Sequence, residues 1–287
     1  FRPSYDAVAQ AVSGLIETTG FPDAIPLKAG AWIGDFYGAL MGAFAVMVAL
    51  YWREKTGEGQ YIDHPQAENL MRNMDWTWIY IGLTGKNRER YGNRDVAVVP
   101  SDIVRAKDGY VAIAAFTEEE FKGLCEAMEN FSFYQKYASV EERLKEENQG
   151  EIYRIIQEWA REKTVDEIEE LAEKFGFAAA KVMSAKDQYE DEHWRARKSV
   201  WIYEDPIWGE LAEVAPVPKL SETPGRIKWT ARPVGIDNEH VFMRILGMSQ
   251  EELEELYKKG VIGKWDKNVP FACPPPDWDG KSGIFFP

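Results

Sequence analysis

From Phe36 to Trp52 the chain carries no charged residue, and the run is bracketed by Asp35 on one side and Arg53 on the other. A segment this apolar must be hidden from water, so the fold has to be built around it. It falls short of the roughly 20 apolar residues that a membrane span needs. It therefore reads as a buried helix running from Phe36 to about Lys55. Gly38, Ala39, Gly42, Ala43, Ala45 and Ala49 make one face small, which lets another backbone approach closely. The glycines of "TGEGQ" stand where a helix C-terminus wants them, and Asp35 stands where an N-cap belongs.

On either side of this helix the pattern divides the chain into three parts, 1–94, a compact α+β stretch at 95–190, and 191–287. Residues 1–20 read as an amphipathic helix and "GFPDAIPLKAG" as a connection. "YIDHP" reads as a strand-like exit, followed by a second helix through Met71 and Trp78. "SDIVRAKDGYVAIAA" is a hairpin signal with Asp108 and Gly109 at the turn. Thr117 with Glu120, and Thr164 with Glu167, have capping-box spacing. Short β pieces are expected between Trp201 and Lys219, and a late helix from about Ser249 to Gly260. The Pro-rich tail "VPFACPPPDWDGKSGIFFP" is expected to wrap over the surface.

The bulk numbers remove several kinds of chemistry. A formal net charge of −14 on 287 residues argues against nucleic acid or an anionic membrane as the main partner. Cys125 and Cys273 lie far apart, which fits a reducing cytoplasm and no disulfide framework. No basic segment followed by an apolar one opens the chain, so no secretory signal is read there. There is no P-loop, no dinucleotide GxGxxG after a strand and no GxSxG. His64, His193 and His240 stand too far apart for a local metal motif, so no metal is expected.

"RPSYDAVAQAVSG", then "GD" ahead of a small-residue helix, then "REKTGEGQYID" resembles the family III CoA-transferases. That group contains formyl-CoA, carnitine and benzylsuccinate CoA-transferases, with the α-methylacyl-CoA racemases as relatives. "DGYVAIAA", "EDEHWRAR", "PVPKLSETPG" and "ILGMSQEELEELYKKGVI" are similar to later signposts of the family in the same order. The resemblance implies an α/β fold, with a Rossmann-like large domain, only part of which is in this chain, plus a smaller α+β domain. It also implies dimers whose chains interlock, or a heteromer with a related subunit. The chemistry implied is transfer of CoA from an acyl-CoA to a carboxylic acid, with coenzyme A as substrate and no tightly bound cofactor. The glycine-rich loop of formyl-CoA transferase has no counterpart around "RYGNRDVAVVPSD", which speaks against an oxalate-specific enzyme.

Asp35 then has two compatible readings. It is a plausible helix cap. It is also in the position of the family's catalytic Asp, where N–H groups and the helix dipole favour a negative charge and an ionised carboxylate can attack a thioester. Tyr5 stands thirty positions earlier, where related racemases carry a His. A phenol titrating near about 10 is a poor neutral-pH base, so Tyr5 favours CoA transfer, with racemisation of an acyl-CoA as the alternative. The resemblance places Arg2 and Tyr5 among CoA contacts; a solvated Arg2 and a core Tyr5 are the plainer readings. For Asp6 the plainer reading is the surface. Tyr91, Gly92 and Asn93 are candidates for the substrate side, and backbone N–H groups there or beside Asp35 could meet an oxyanion. Trp76, Trp78 and Tyr80 are core aromatics or the wall of an acyl pocket. Glu239 and His240 mark a helix start.

Overall fold

The computed structural model describes residues 3–264, so Arg2 and the Pro-rich tail lie outside the described residues. The chain is a mixture of helices and small antiparallel sheets in two compact units, residues 1–182 and 183–287.

The first unit opens with helix α1 (Asp6–Val12), much shorter than the twenty residues the pattern suggests. Gly14 takes a φ of +88°, in the left-handed region, and the chain leaves the helix there. Helix α2 (Ile33–Thr56) is the long apolar one, closed by Gly57 at φ +78° as expected. Residues 57–65 form no strand; α3 (Gln66–Met71) and α4 (Thr77–Thr84) follow, broken apart near Asp75, whose φ is +38°.

Helix α2 is not buried, and this corrects the sequence reading. It is 24 residues long with a mean hydropathy of 1.7 over its most apolar window, long and apolar enough to cross a membrane on those measures alone. Only 11% of that window is buried. Helices α1 and α3 pack on its glycine side, where Gly34 and Gly38 are covered. Phe36, Leu40, Phe44, Met47 and Tyr51 remain about two-thirds exposed. A helix that is apolar all round needs neighbours all round, and the described residues supply them on one side.

The rest of the first unit is built on strands β1 (Ser101–Arg105) and β2 (Tyr110–Ala114), an antiparallel hairpin in the register Ser101 to Ala114. Its helices are α5 (Glu118–Ala127), α6 (Phe131–Tyr137), α7 (Val140–Leu144), α8 (Glu146–Arg161) and α9 (Val165–Phe175). Strand β3 (Ala178–Lys181) then adds to β2. Both anticipated capping boxes, Thr117 with Glu120 and Thr164 with Glu167, are formed. Val111 and Ile113 of the hairpin point into one core with Phe121, Leu124, Ile152 and Ile168. Cys125 lies in this core as well, and burial pushes its thiol up to about 12, so it is inert packing.

The second unit holds α10 (Ala185–Glu190), α11 (Glu192–Ala196), and the hairpin β4 (Val200–Asp205) with β5 (Gly209–Val214). A π-helical turn over Glu239–Ile245 follows, then α12 (Gln250–Lys258), capped by Ser249. Burial alone would raise the Asp205 carboxyl. The N–H groups of Ile207, Trp208 and Thr230 outweigh that and hold it below the usual range.

Candidate functional site

Asp35 is not the cap of α2. The helix begins two residues earlier, at Ile33, so Asp35 sits inside the first turn with its side chain exposed. The capping is done by Asp6, reaching across from α1: its Oδ1 accepts the Gly34 N–H at 2.8 Å. Asp6 is 6% exposed and Gln10 is fully buried, so the surface reading of Asp6 is also corrected. Gln10 Nε2 donates to Asp6 Oδ2 at 2.7 Å, and Gln10 Oε1 accepts the Ala29 N–H at 2.9 Å. Glycine at 34 eases this approach, because a Cβ there would lie 3.0 Å from Asp6 Oδ1 and 3.3 Å from Leu70 Cδ1 and push both aside by a few tenths of an ångström. The Gly34 N–H is thus satisfied by a neighbour, and the carboxylate of Asp35 is left for something else.

What holds Asp35 is Gln66, the first residue of α3, whose Nε2 donates to Asp35 Oδ1. The segment carrying Gln66 is pinned to α2 by His64. Its Nε2 donates to the Gly38 carbonyl at 2.6 Å, and the ring lies where a Cβ on Gly42 would come within 3.2 Å. Asn69 Nδ2 lies beside the same ring, 3.4 Å from Nδ1 and 3.3 Å from Nε2. Asp35, Gln66 and His64 line an open groove of about 360 Å³ whose floor is Gly34, Gly38, Ala39 and Gly42. The small face of α2 therefore makes room beside the carboxylate as well as for a helix. Sequence reasoning missed Gln66. Its signal was faint, an uncharged amide two residues after a histidine that looked relevant only to metals. Among the described residues no three His, Cys, Asp or Glu side chains gather as a metal site.

The other candidates fall in two places. Tyr5 is 80% exposed and precedes Asp6, so the Asp6 to Gly34 bond brings Tyr5 to the Asp35 end of α2. Tyr91 and Asn93 line a separate, larger cleft of about 1090 Å³ with Tyr80, Lys86, Arg90 and Glu146. Partial burial, and then the charge of Glu89, raise the Tyr91 phenol, so it stays a neutral donor. Gly92 is explained by its backbone. It has φ +65°, gives its N–H to the Gly20 carbonyl at 2.9 Å and leaves no space for a Cβ, which would meet Phe21 at 2.7 Å. Two cations of the cleft are already engaged: Arg90 by Glu17 and nearby carbonyls, Arg94 by Asp102. Three N–H groups among the oxyanion-donor candidates, those of Gly34, Phe36 and Gly92, are likewise donating within the chain.

A sequence model of CoA-transferase family III matches residues 1–238. The succinyl-CoA–D-citramalate CoA-transferase of Chloroflexus aurantiacus is 32% identical over 91% of this chain and 65% of its own length. The alpha subunit of that organism's succinyl-CoA–L-malate CoA-transferase is 34% identical over 91% of this chain and 61% of its own. The bile acid CoA-transferase BaiK of Clostridium scindens is 28% identical over 92% of this chain and 62% of its own. The chain thus spans less than two thirds of each of these relatives. In fold it is similar to a CAIB/BAIF family protein from Brucella suis, with a TM-score of 0.70 and 23% identity over 85% of this chain and 63% of that one.

Proposed function

The chain belongs to CoA-transferase family III, and from that premise we propose that it moves CoA from an acyl-CoA to a carboxylic acid with Asp35 as the nucleophile. The observation that carries this reading is the carboxylate itself. Asp35 is in the first turn of α2, released from capping by Asp6, exposed, and beside a glycine-floored groove. In the proposed cycle Asp35 Oδ2 attacks the donor thioester, giving a mixed anhydride and CoA thiolate. The thiolate attacks the Asp35 carbonyl carbon to form an aspartyl-CoA thioester and release the donor acid. The acceptor acid repeats the sequence in reverse.

Three relatives are named for succinyl-CoA, with citramalate, malate or mesaconate, which supports short dicarboxylic acids as the substrates to try first. Tyr5 and Arg2 are proposed on the CoA side, and Tyr91, Gly92 and Asn93 on the acid side. Gly92 would act there through the shape of its loop. The exposed face of α2 is proposed to be covered by the rest of a Rossmann-like domain in an interlocked cytoplasmic assembly, within the three-part division 1–94, 95–190 and 191–287. One relative pair is named as alpha and beta subunits, which supports a related chain as partner as readily as a second copy.

Intact-mass spectrometry of the whole protein after brief incubation with succinyl-CoA tests the reading. Wild type is expected to gain a hydroxylamine-sensitive CoA thioester, and Asp35→Asn none. An adduct on both proteins, or loss of substrate α-deuterium without any adduct, would replace transfer by other chemistry such as racemisation.

A further inference from the structure

We propose that Gln66 is a catalytic residue that serves the Asp35 side of the reaction as an oxyanion donor. The inference rests on Asp35 being the nucleophile and adds the group that makes its own carbonyl reactive. Gln66 Nε2 already holds Asp35 Oδ1, so Oδ2 is the oxygen left to attack a thioester. Once Oδ2 is acylated, Oδ1 is the carbonyl oxygen of the aspartyl half of the anhydride. When CoA thiolate adds to Cγ, a C–S bond forms and the carbonyl π pair moves onto Oδ1. Collapse of that intermediate returns the pair, breaks the Cγ–Oδ2 bond and expels the donor carboxylate, so one negative charge enters and one leaves. Attack of the acceptor carboxylate on the aspartyl thioester puts the same charge on Oδ1 a second time. A donor fixed on Oδ1 before reaction stabilises both intermediates without reorganising.

The surroundings favour this role for Gln66. The backbone N–H groups of Gly34 and Phe36 beside Asp35 are engaged with Asp6 and the Trp32 carbonyl. Gln66 itself is half-buried and leads α3, and the bond from His64 to the Gly38 carbonyl fixes its backbone against α2. An amide offers a donor here without the charge that Lys or Arg would bring. A cation would pair with Asp35 and blunt it as a nucleophile.

The test follows formation of the aspartyl-CoA adduct by rapid-quench intact mass in the whole protein, for wild type, Asp35→Asn, Gln66→Met and Gln66→Glu. Met keeps the length of Gln without a donor, and Glu presents an acceptor in its place. The expected result is an adduct that still forms in Gln66→Met but about 10²-fold more slowly, with donor KM within about threefold of wild type and the melting temperature unchanged. If Gln66→Met does not fold, Gln66→Glu is read in its place and is expected to be at least as slow. Wild-type rates of adduct formation in the folded variant would overturn the proposal. An adduct on Asp35→Asn would overturn the nucleophile reading beneath it, whatever Gln66 does.

Discussion

Asp6 brings its carboxyl group into a buried position, 6% exposed, and no salt bridge joins it among the described residues. Its two oxygens are satisfied by Gly34 N–H and Gln10 Nε2 instead. Replacing it by Ala would strand both donors and remove the cap of α2. Asp6→Ala is therefore expected to cost about 1–3 kcal/mol in a urea melt and to slow adduct formation at Asp35. Asp6→Asn keeps one acceptor and is expected to fall between Ala and wild type. A cost within experimental error for Asp6→Ala would mean that α2 is capped some other way. Asp35 stood out in the sequence because it heads an apolar run alone, while its proposed role as nucleophile came from the family resemblance. Asp6 and Gln66 did not, because their partners lie 28 and 31 positions away and no local pattern records such a pairing.

At the scale of elements, local signals were the readable ones. Capping boxes, the hairpin turn at Asp108 and Gly109, and the stop at Gly57 depend on neighbours within a few residues, and each formed as expected. The length of α1 and the break between α3 and α4 depend on left-handed residues, Gly14 and Asp75, that the apolar pattern does not announce. Arg143 is a further element that periodicity hides. It is fully buried, stacks on Phe121 at 4.4 Å and donates to the carbonyls of Val99 at 3.0 Å and Tyr137 at 2.9 Å, as well as Phe116. One side chain thereby joins the segment entering β1, the end of α6 and the loop after β2. Arg143→Met would leave those carbonyls buried without donors, a loss of about 3 kcal/mol or more. Arg143→Lys, with one nitrogen for several acceptors, is expected to recover less than half of it. Equal stability of Met and Arg forms in denaturant melts would show that water replaces the guanidinium.

For the whole molecule the governing fact is that the 24-residue apolar helix α2 is only 11% buried over its most apolar stretch. Leu40 and Phe44 are each 64% exposed on α2, although a fold that encloses this helix would bury both. The relatives of the chain are longer than the stretch it matches, with 65% and 61% of their length covered. The proposed assembly would supply the missing surface from the remainder of such a domain or from a partner chain. The alternative is that α2 stays open to solvent or lies against lipid, for which its length and hydropathy alone would suffice. Leu40→Gln and Phe44→Gln separate these cases in the assembled protein. Under a protein cover each is expected to cost about 2–4 kcal/mol, the usual range for losing a buried Leu or Phe contact. They should also raise the dissociation constant of the assembly measured by sedimentation. With α2 open to water, each should fall within about 0.5 kcal/mol of wild type and reduce aggregation. With α2 in lipid, the variants should release the protein from vesicles while leaving its oligomeric state unchanged. The glycine face argues against the lipid outcome, since Gly34, Gly38 and Gly42 are lined by Asp6, Asn69 and His64, polar side chains that suit a watery groove beside Asp35 and would be costly in hydrocarbon.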